Sequence, residues 1–192
     1  VKCELFIEHY YMKYVSADEA VKLVTSGDWV FFQGSTAGPV IIQEALARRA
    51  DELRGVNIVS GFNITKGPAP FCRPEYKESF FVNSLFLCAD QREYVAQGYG
   101  SLIPGFLGEL PSLIRRHEIP VDVACINCSL PDENGYCSYN ISADLAQPAV
   151  ESAKIVIAQV NKSIPYLYGT ATIPEPKITA AVPCDDPPES IK

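Results

Sequence analysis

Positive charge is scarce in this chain, and what there is does not cluster. Sixteen Lys and Arg against 23 Asp and Glu leave a formal net charge of −7. No basic run or stripe offsets that balance, which argues against a nucleic-acid partner, because phosphate binding needs clustered cations. A small anionic ligand is not excluded, since backbone N–H groups and a few local cations can hold one. No apolar run approaches the ~20 residues that span a bilayer. The opening "VKCELFIEHYYMKYVSADEAV" has no signal-peptide h-region followed by small residues. These absences predict a cytoplasmic protein with no membrane partner. Histidine is nearly missing. His9 lies in an aromatic stretch and His117 in "IRRHEIP" near a predicted helix end, where a His more often meets the helix dipole than catalyses. There is no P-loop lysine and no G-x-G-x-x-G, so both nucleotide fingerprints fail.

Cysteine is present, but in a pattern that says little about chemistry. Seven residues, at 3, 72, 88, 125, 128, 137 and 184, are an odd, scattered set in a chain that is 47% hydrophobic. Free thiols in a reducing compartment fit this better than a disulfide framework. Cys125 and Cys128 form a C-x-x-C, yet Val121 to Ile126 reads as a strand. On a strand, residues i and i+3 point to opposite faces and lie about 10 Å apart at about 3.3 Å per residue. A disulfide needs Cα atoms within about 7 Å. A redox C-x-x-C sits at a helix N-terminus, whereas here an Asn-Gly turn follows. The expectation is structural thiols and no metal site. N-x-S/T triplets begin at Asn63, Asn127, Asn140 and Asn161 and carry no meaning in a cytoplasmic chain.

The pattern of elements is more informative. "YVSADEAVKLVTSGDWVFFQG" gives a capping box, Ser16 with Glu19, then Ala17, Ala20, Val21 and Val24 on one helical face, then a buried strand from Trp29 to Phe32. "GSTAGPVIIQEALARRADELRG" predicts a small-residue loop and a helix opening near Pro39. Its stripe is Ile42, Leu46, Ala50 and Leu53, Arg48 and Arg49 face solvent, and Gly55 ends it. "VNIVSG", "FFVNSLFL", "VDVACINCS" and "KIVIAQVN" read as strands. Phe62 to Ser79 reads as loop, and "GYGSLIPGFLGELPSLIRRHEIP" as a connection running into a helix near Pro111 to His117. "PDENGYCSYN" reads as a hairpin turning at Asn134-Gly135, and "SADLAQPAVESA" as a helix with Pro148 awkwardly inside. The alternation predicts an α/β class, an open, mostly parallel sheet with helices on both faces. "AAVPCDDPPESIK" shows no core pattern and reads as a linker.

Two glycine-bearing segments are candidate site loops. Gly34, Ser35, Thr36, Ala37, Gly38 and Pro39 connect a strand end to a helix start. In open α/β sheets ligands bind at that place, and a helix N-terminus offers N–H groups to an oxyanion or phosphate. The same residues also suit a plain tight connection. Gly98 and Gly100, with Pro104 and Gly105, either shape a long connection or border a cleft.

Taken in order, "SADEAVKLVTSGDWVFFQGSTAGPVIIQEALARRA", "GYGSLIPGFLGELPSLIRR", "VDVACINCSLPDENGYCSYNIS" and "ESAKIVIAQVNKSIPYLYG" resemble the N-terminal half of the acetyl-CoA hydrolase/transferase family, from about Tyr14 to Gly169. The family's Ser-Pro-Pro-Asp stretch stands here as Ser129-Leu130-Pro131-Asp132, followed by Gly135-Tyr136-Cys137. The resemblance implies a coenzyme A transferase-like (NagB/RpiA-type) domain of a two-domain enzyme of the 4-hydroxybutyrate or acetate type. The reaction it implies is ping-pong, through an acyl-glutamyl anhydride and a glutamyl thioester. It implies a coenzyme A thioester as substrate with no permanently bound cofactor, and a small carboxylic acid as second substrate.

In that family the nucleophilic glutamate belongs to the C-terminal half, so no catalytic residue is assigned to this chain, which is expected to be inactive alone. Residues 1–182 are expected to form the domain and residues 183–192 to begin a linker to a C-terminal half, the expected partner. An exposed half-cleft would favour a homo-oligomer. Gly34 to Pro39, with Gly98 and Gly100, are the expected substrate-binding wall. An acyl-CoA hydrolase, or a non-catalytic small-molecule binding domain of related fold, are the alternatives.

Overall fold

The computed structural model describes residues 12–63 and 67–187. In chain order it forms α1 (Ala17–Ala20, prolonged by a 3-10 turn over Val21–Leu23), β1 (Trp29–Phe32), α2 (Val40–Ala47), β2 (Val56–Ser60), β3 (Phe80–Ser84), α3 (Ala89–Ala96) and β4 (Gly100–Leu102). Then follow α4 (Leu110–Arg115), β5 (Val123–Cys128), β6 (Tyr136–Ser138), α5 (Ala146–Ser152), β7 (Ile155–Asn161), β8 (Thr172–Pro174) and β9 (Ala180–Cys184). Seven strands make one sheet in the order β4-β3-β2-β1-β5-β7-β9, and every pairing in it is parallel. A separate antiparallel pair joins β6 to β8.

Helices cover both faces, which is why β1 and β5 are near-continuous apolar runs. Val30, Phe32, Val123 and Cys125 face a core shared with α1 and α2. Phe31, Ala124, Ile126 and Cys128 face the other core, shared with α4 and α5. Cys125 and Cys128 therefore lie on opposite faces, and the sulfur beside Cys128 is that of Cys137, to which it is hydrogen-bonded. Burial pushes the Cys125 thiol up; Cys128 is raised first by its bond to Cys137 and then by burial. Both are poor thiolates. Among the described residues no group of three or more His, Cys, Asp or Glu is placed to hold a metal ion. Asn63, Asn127, Asn140 and Asn161 are all buried. His117 is exposed just past α4, and His9 lies outside the described residues. Among those residues no helix is long and apolar enough to cross a membrane.

Several local expectations are corrected. The N-cap of α1 forms as read, with Ser16 Oγ accepting from the Glu19 amide at 3.2 Å, while the Glu19 carboxylate turns to Lys22 at 2.6 Å. The helix α2 stops at Ala47 rather than running to Gly55, and Ala50 and Leu53 are buried by the turns that follow. Arg49 is not solvated: its guanidinium donates to the carbonyls of Val21 and Val24 and so ties off the 3-10 turn. Pro148 is unproblematic because it stands in the first turn of α5, where its missing N–H has no intrahelical partner to lose. The Asn134-Gly135 turn exists, with Gly135 at φ 76° and Asp132 Oδ1 accepting from the amides of Asn134 and Tyr136, both at 2.9 Å. The strand that leaves this turn does return beside Ser129 to Asp132, with Tyr136 O accepting from the Asp132 amide at 2.8 Å and Ser138 O from the Ser129 amide at 3.0 Å, and it pairs with β8 as well. The stretch read as tail begins with a strand: β9 pairs with β7 as far as Cys184, and its free edge is covered by the bridge between Tyr14 and Ala181. Pro183 and Cys184 thus belong to the sheet.

Candidate active-site cleft

The strand β1 stands in the middle of the sheet; from it the strands step outward to β4, then the order returns past β1 to lay down β5, β7 and β9. The reversal between β1 and β5 is the place where an open parallel sheet leaves a crevice beyond its carboxyl ends. Gln33, the first residue after β1, stands there fully buried. Its Oε1 accepts from the Asn127 amide at 2.6 Å, and its Nε2 donates to the carbonyls of Tyr139 at 2.9 Å and Ser142 at 2.8 Å. One amide side chain thereby locks the ends of β1 and β5 to the segment that leads into α5. The sequence reading passed over Gln33, although a lone amide between an apolar strand and a glycine loop was its available signal.

Gly34 and Ser35 come next. A Cβ on Gly34 would stand 2.6 Å from the Phe62 carbonyl oxygen, so only glycine lets the loops after β1 and β2 lie this close. Ser35 takes φ 61°, donates its amide to Phe62 O and bridges Asn63. Asn63 in turn donates to Ser60 Oγ at 2.8 Å and Asp90 Oδ2 at 2.9 Å. Burial raises the Asp90 carboxyl above the usual aspartate range, against the opposing bond from Asn63.

Beside these residues opens a cleft of about 510 Å³, within the ordinary size of small-molecule sites. It is built entirely at the carboxyl edge. Gly34 and Ser35 follow β1, Gly61 and Phe62 follow β2, and Leu85 and Phe86 follow β3. Gly105, Phe106, Leu107 and Leu110 lead into α4, and Ile141, Ser142, Asp144 and Leu145 lead into α5. Phe31 closes the bottom. Ser142 Oγ donates to Asp144 Oδ1 at 3.1 Å. Asn140, just upstream, takes φ 63°, and its side-chain amide is buried without a hydrogen-bond partner among the described residues.

Of the expected wall, Gly34 and Ser35 line this cleft, and the other six residues do not. Thr36, Ala37, Gly38 and Pro39 carry the chain across to the α1–α2 face, where Ala37 and Pro39 are buried. The amides opening α2 are already engaged, with Val40 on Gly38 O, Ile42 and Gln43 on Pro39 O, and Ile41 on Gln159 Oε1 at 3.2 Å. The expected anion-binding helix start is therefore occupied by the protein itself. Gly98 ends α3 at φ 85°, and Gly100 opens β4. Both lie at the amino edge of the sheet, opposite the cleft. Gly105, on the far side of β4, is the member of that segment that reaches it.

Comparison with known proteins gives this geometry a context. Residues 4–186 match the family model for the acetyl-CoA hydrolase/transferase N-terminal domain. A 4-hydroxybutyrate coenzyme A transferase from Clostridium kluyveri is 37% identical over 166 residues, covering 86% of this chain and 38% of that protein. A solved 4-hydroxybutyrate CoA-transferase from Porphyromonas gingivalis superposes with a TM-score of 0.74 at 30% identity, over 93% of this chain and 41% of its own. RipA from Yersinia pestis shares the fold, with a TM-score of 0.85 at 23% identity, over 94% of this chain and 44% of its own. The chain spans about two fifths of the length of these relatives. With the family model matching nearly from end to end, the chain belongs to the acetyl-CoA hydrolase/transferase family, in the part that forms its N-terminal domain.

Proposed function

We propose that this chain is the N-terminal half of an acyl-CoA:carboxylate coenzyme A transferase, and that its carboxyl-edge cleft is one wall of the active site. The observation that carries the reading is the cleft's position in a domain of this family, at the β1–β5 reversal beside Gly34 and Ser35. This half supplies apolar surface and closely packed backbone around the thioester. In this reading the nucleophilic glutamate and most of the coenzyme A contacts come from the C-terminal half of the longer enzyme.

In the cycle, the glutamate carboxylate attacks the thioester carbonyl and coenzyme A leaves as thiolate, giving an acyl-glutamyl anhydride. The thiolate then attacks the glutamyl carbonyl and releases the first carboxylate. The second carboxylate attacks the resulting glutamyl thioester, and the thiolate returns to its acyl carbonyl. Covalent catalysis splits one hard exchange into easier steps, each passing through an oxyanion that N–H donors stabilise. The enzyme is cytoplasmic, uses the coenzyme A thioester as substrate without a permanently bound cofactor, and assembles as a homo-oligomer.

The test uses the enzyme including the residues beyond Lys192. Borohydride should inactivate it only after exposure to an acyl-CoA, by reducing the glutamyl thioester, while the 192-residue chain should show no turnover. Absence of any acyl-CoA-dependent inactivation would contradict the reading. The family's description joins hydrolase to transferase, so a second reading has water as the acceptor. Thiol release from acetyl-CoA at a rate indifferent to added carboxylate would favour it.

A further inference from the structure

Phe31, Gly34 and Ser35 line the cleft, but Gln33 between them does not; it is fully buried, and its side chain is spent on backbone. The ladder between β1 and β5 runs as far as the Gln33 amide on Cys125 O at 3.0 Å. At the next rung the Gln33 side chain takes over, accepting from Asn127, and the backbone turns off into Gly34 and Ser35. The other end of the same side chain donates to the carbonyls of Tyr139 and Ser142. Those two carbonyls are the feet of a short arch. Within it Asn140 takes φ 63° and gives its amide to Ser138 Oγ at 3.1 Å, while Ile141 and Ser142 line the cleft. A left-handed residue other than glycine persists only where its surroundings over-determine it, and Gln33 supplies two of those restraints. One side chain therefore spans the seam between the wall that follows β1 and the wall that leads into α5.

Resting on the transferase reading above, we propose that Gln33 is a positioning residue of acyl transfer: without touching substrate, it fixes the separation of these two walls and so the placement of the thioester carbonyl beside them. Tyr139, Asn140 and Ser142 are all buried. Carbonyls there that lose their donor are costly to leave unpaired, so the arch shifts to find other partners, and Ser142, whose hydroxyl is given to Asp144, moves with it. Reacting atoms tolerate little of this, because a misplacement of about 1 Å costs on the order of 100-fold.

The test uses the enzyme with the residues beyond Lys192. Competent sites are counted in an aliquot by the glutamyl thioester trapped with borohydride, and kcat is read per site, so that a loss of folded protein does not register. Gln33→Met removes all three bonds, and Gln33→Glu keeps the acceptor for Asn127 but loses both donors. Each should lower kcat per site by on the order of 100-fold while KM for the acyl-CoA stays within about threefold, the mark of an interaction lost in the transition state alone. Arg49→Met is the comparison, because Arg49 also holds two carbonyls, those of Val21 and Val24, outside the cleft. It should lower the melting temperature and leave kcat per site unchanged. The arch is reached independently at Asn140. Valine holds φ 63° badly and glycine holds it freely, so Asn140→Val should lose more than about tenfold in kcat per site and Asn140→Gly far less. This pair decides the question if the Gln33 variants do not fold. Parental kcat per site in the folded Gln33 variants or in Asn140→Val, or an equal loss in Arg49→Met, would overturn the inference and leave the transferase standing. No transfer by the parent enzyme from acetyl-, butyryl- or succinyl-CoA would overturn the transferase reading itself, and this inference with it.

Discussion

The glycine loop after β1 and the glycine loop before β4 look alike as strings of letters, and they are crowded for different reasons. At Gly34 the intruding atom is the carbonyl oxygen of a neighbouring loop, Phe62, at 2.6 Å from a would-be Cβ. At Gly100 it is the Val82 carbonyl oxygen at 2.5 Å, within the β3–β4 pairing. The first contact lies at the carboxyl edge beside the chain reversal, and the second at the amino edge of an outer strand. A glycine reports that backbone comes close to something. Only its place in the sheet says whether that closeness serves a cleft or a strand pair.

Substitution can break this comparison at either end. Gly34→Ala should have the largest effect, costing about 3 kcal/mol, because the Phe62 segment it strikes is held by Ser35 and Asn63 and cannot retreat. Gly100→Ala should cost less, about 1 to 2 kcal/mol, because β4 is an outermost strand and can shift outward. Thermal or urea unfolding of the two variants measures the difference.

The smallest effect concerns Asp90, behind the cleft loop. A carboxyl raised in the folded state favours folding most below its unfolded pKa, and that contribution is lost as pH rises through the folded value. Asp90 is raised by burial, so it is a liability near neutrality. Asp90→Asn should therefore raise the melting temperature at pH 7, by an amount that shrinks as pH falls toward about 4. A gain that is flat with pH would mean that the charge at Asp90 is not what costs stability.

The central strands were legible because burial on both faces leaves an uninterrupted apolar run, as in Trp29–Phe32 and Val123–Cys128. The elements missed are those whose signal lies elsewhere. The buried face of α3 is Asp90, Gln91 and Tyr94, which gives no hydrophobic period to detect. The strand β4 is three residues long and opens on glycine. The strand β9 carries Pro183 and reads as linker, yet its buried Ala180, Ala181 and Val182 pack into the sheet. At the site, strand-end logic led to Gly34 and Ser35. It could not reveal that Phe62, Phe86 and Phe106 meet around one opening, because only parallel winding brings the ends of β2, β3 and β4 side by side.

The most direct test of this account is turnover in the two glycine variants of the enzyme with the residues beyond Lys192, measured well below both melting temperatures. The account predicts that Gly34→Ala loses on the order of 100-fold in kcat/KM for acyl transfer, because a small displacement at a reacting centre costs that much. Gly100→Ala should stay within about threefold of the parent, well short of what a displaced reacting centre costs. Equal losses in the two variants, or a greater loss in Gly100→Ala, would contradict the placement of the active site at the carboxyl edge beside Gly34.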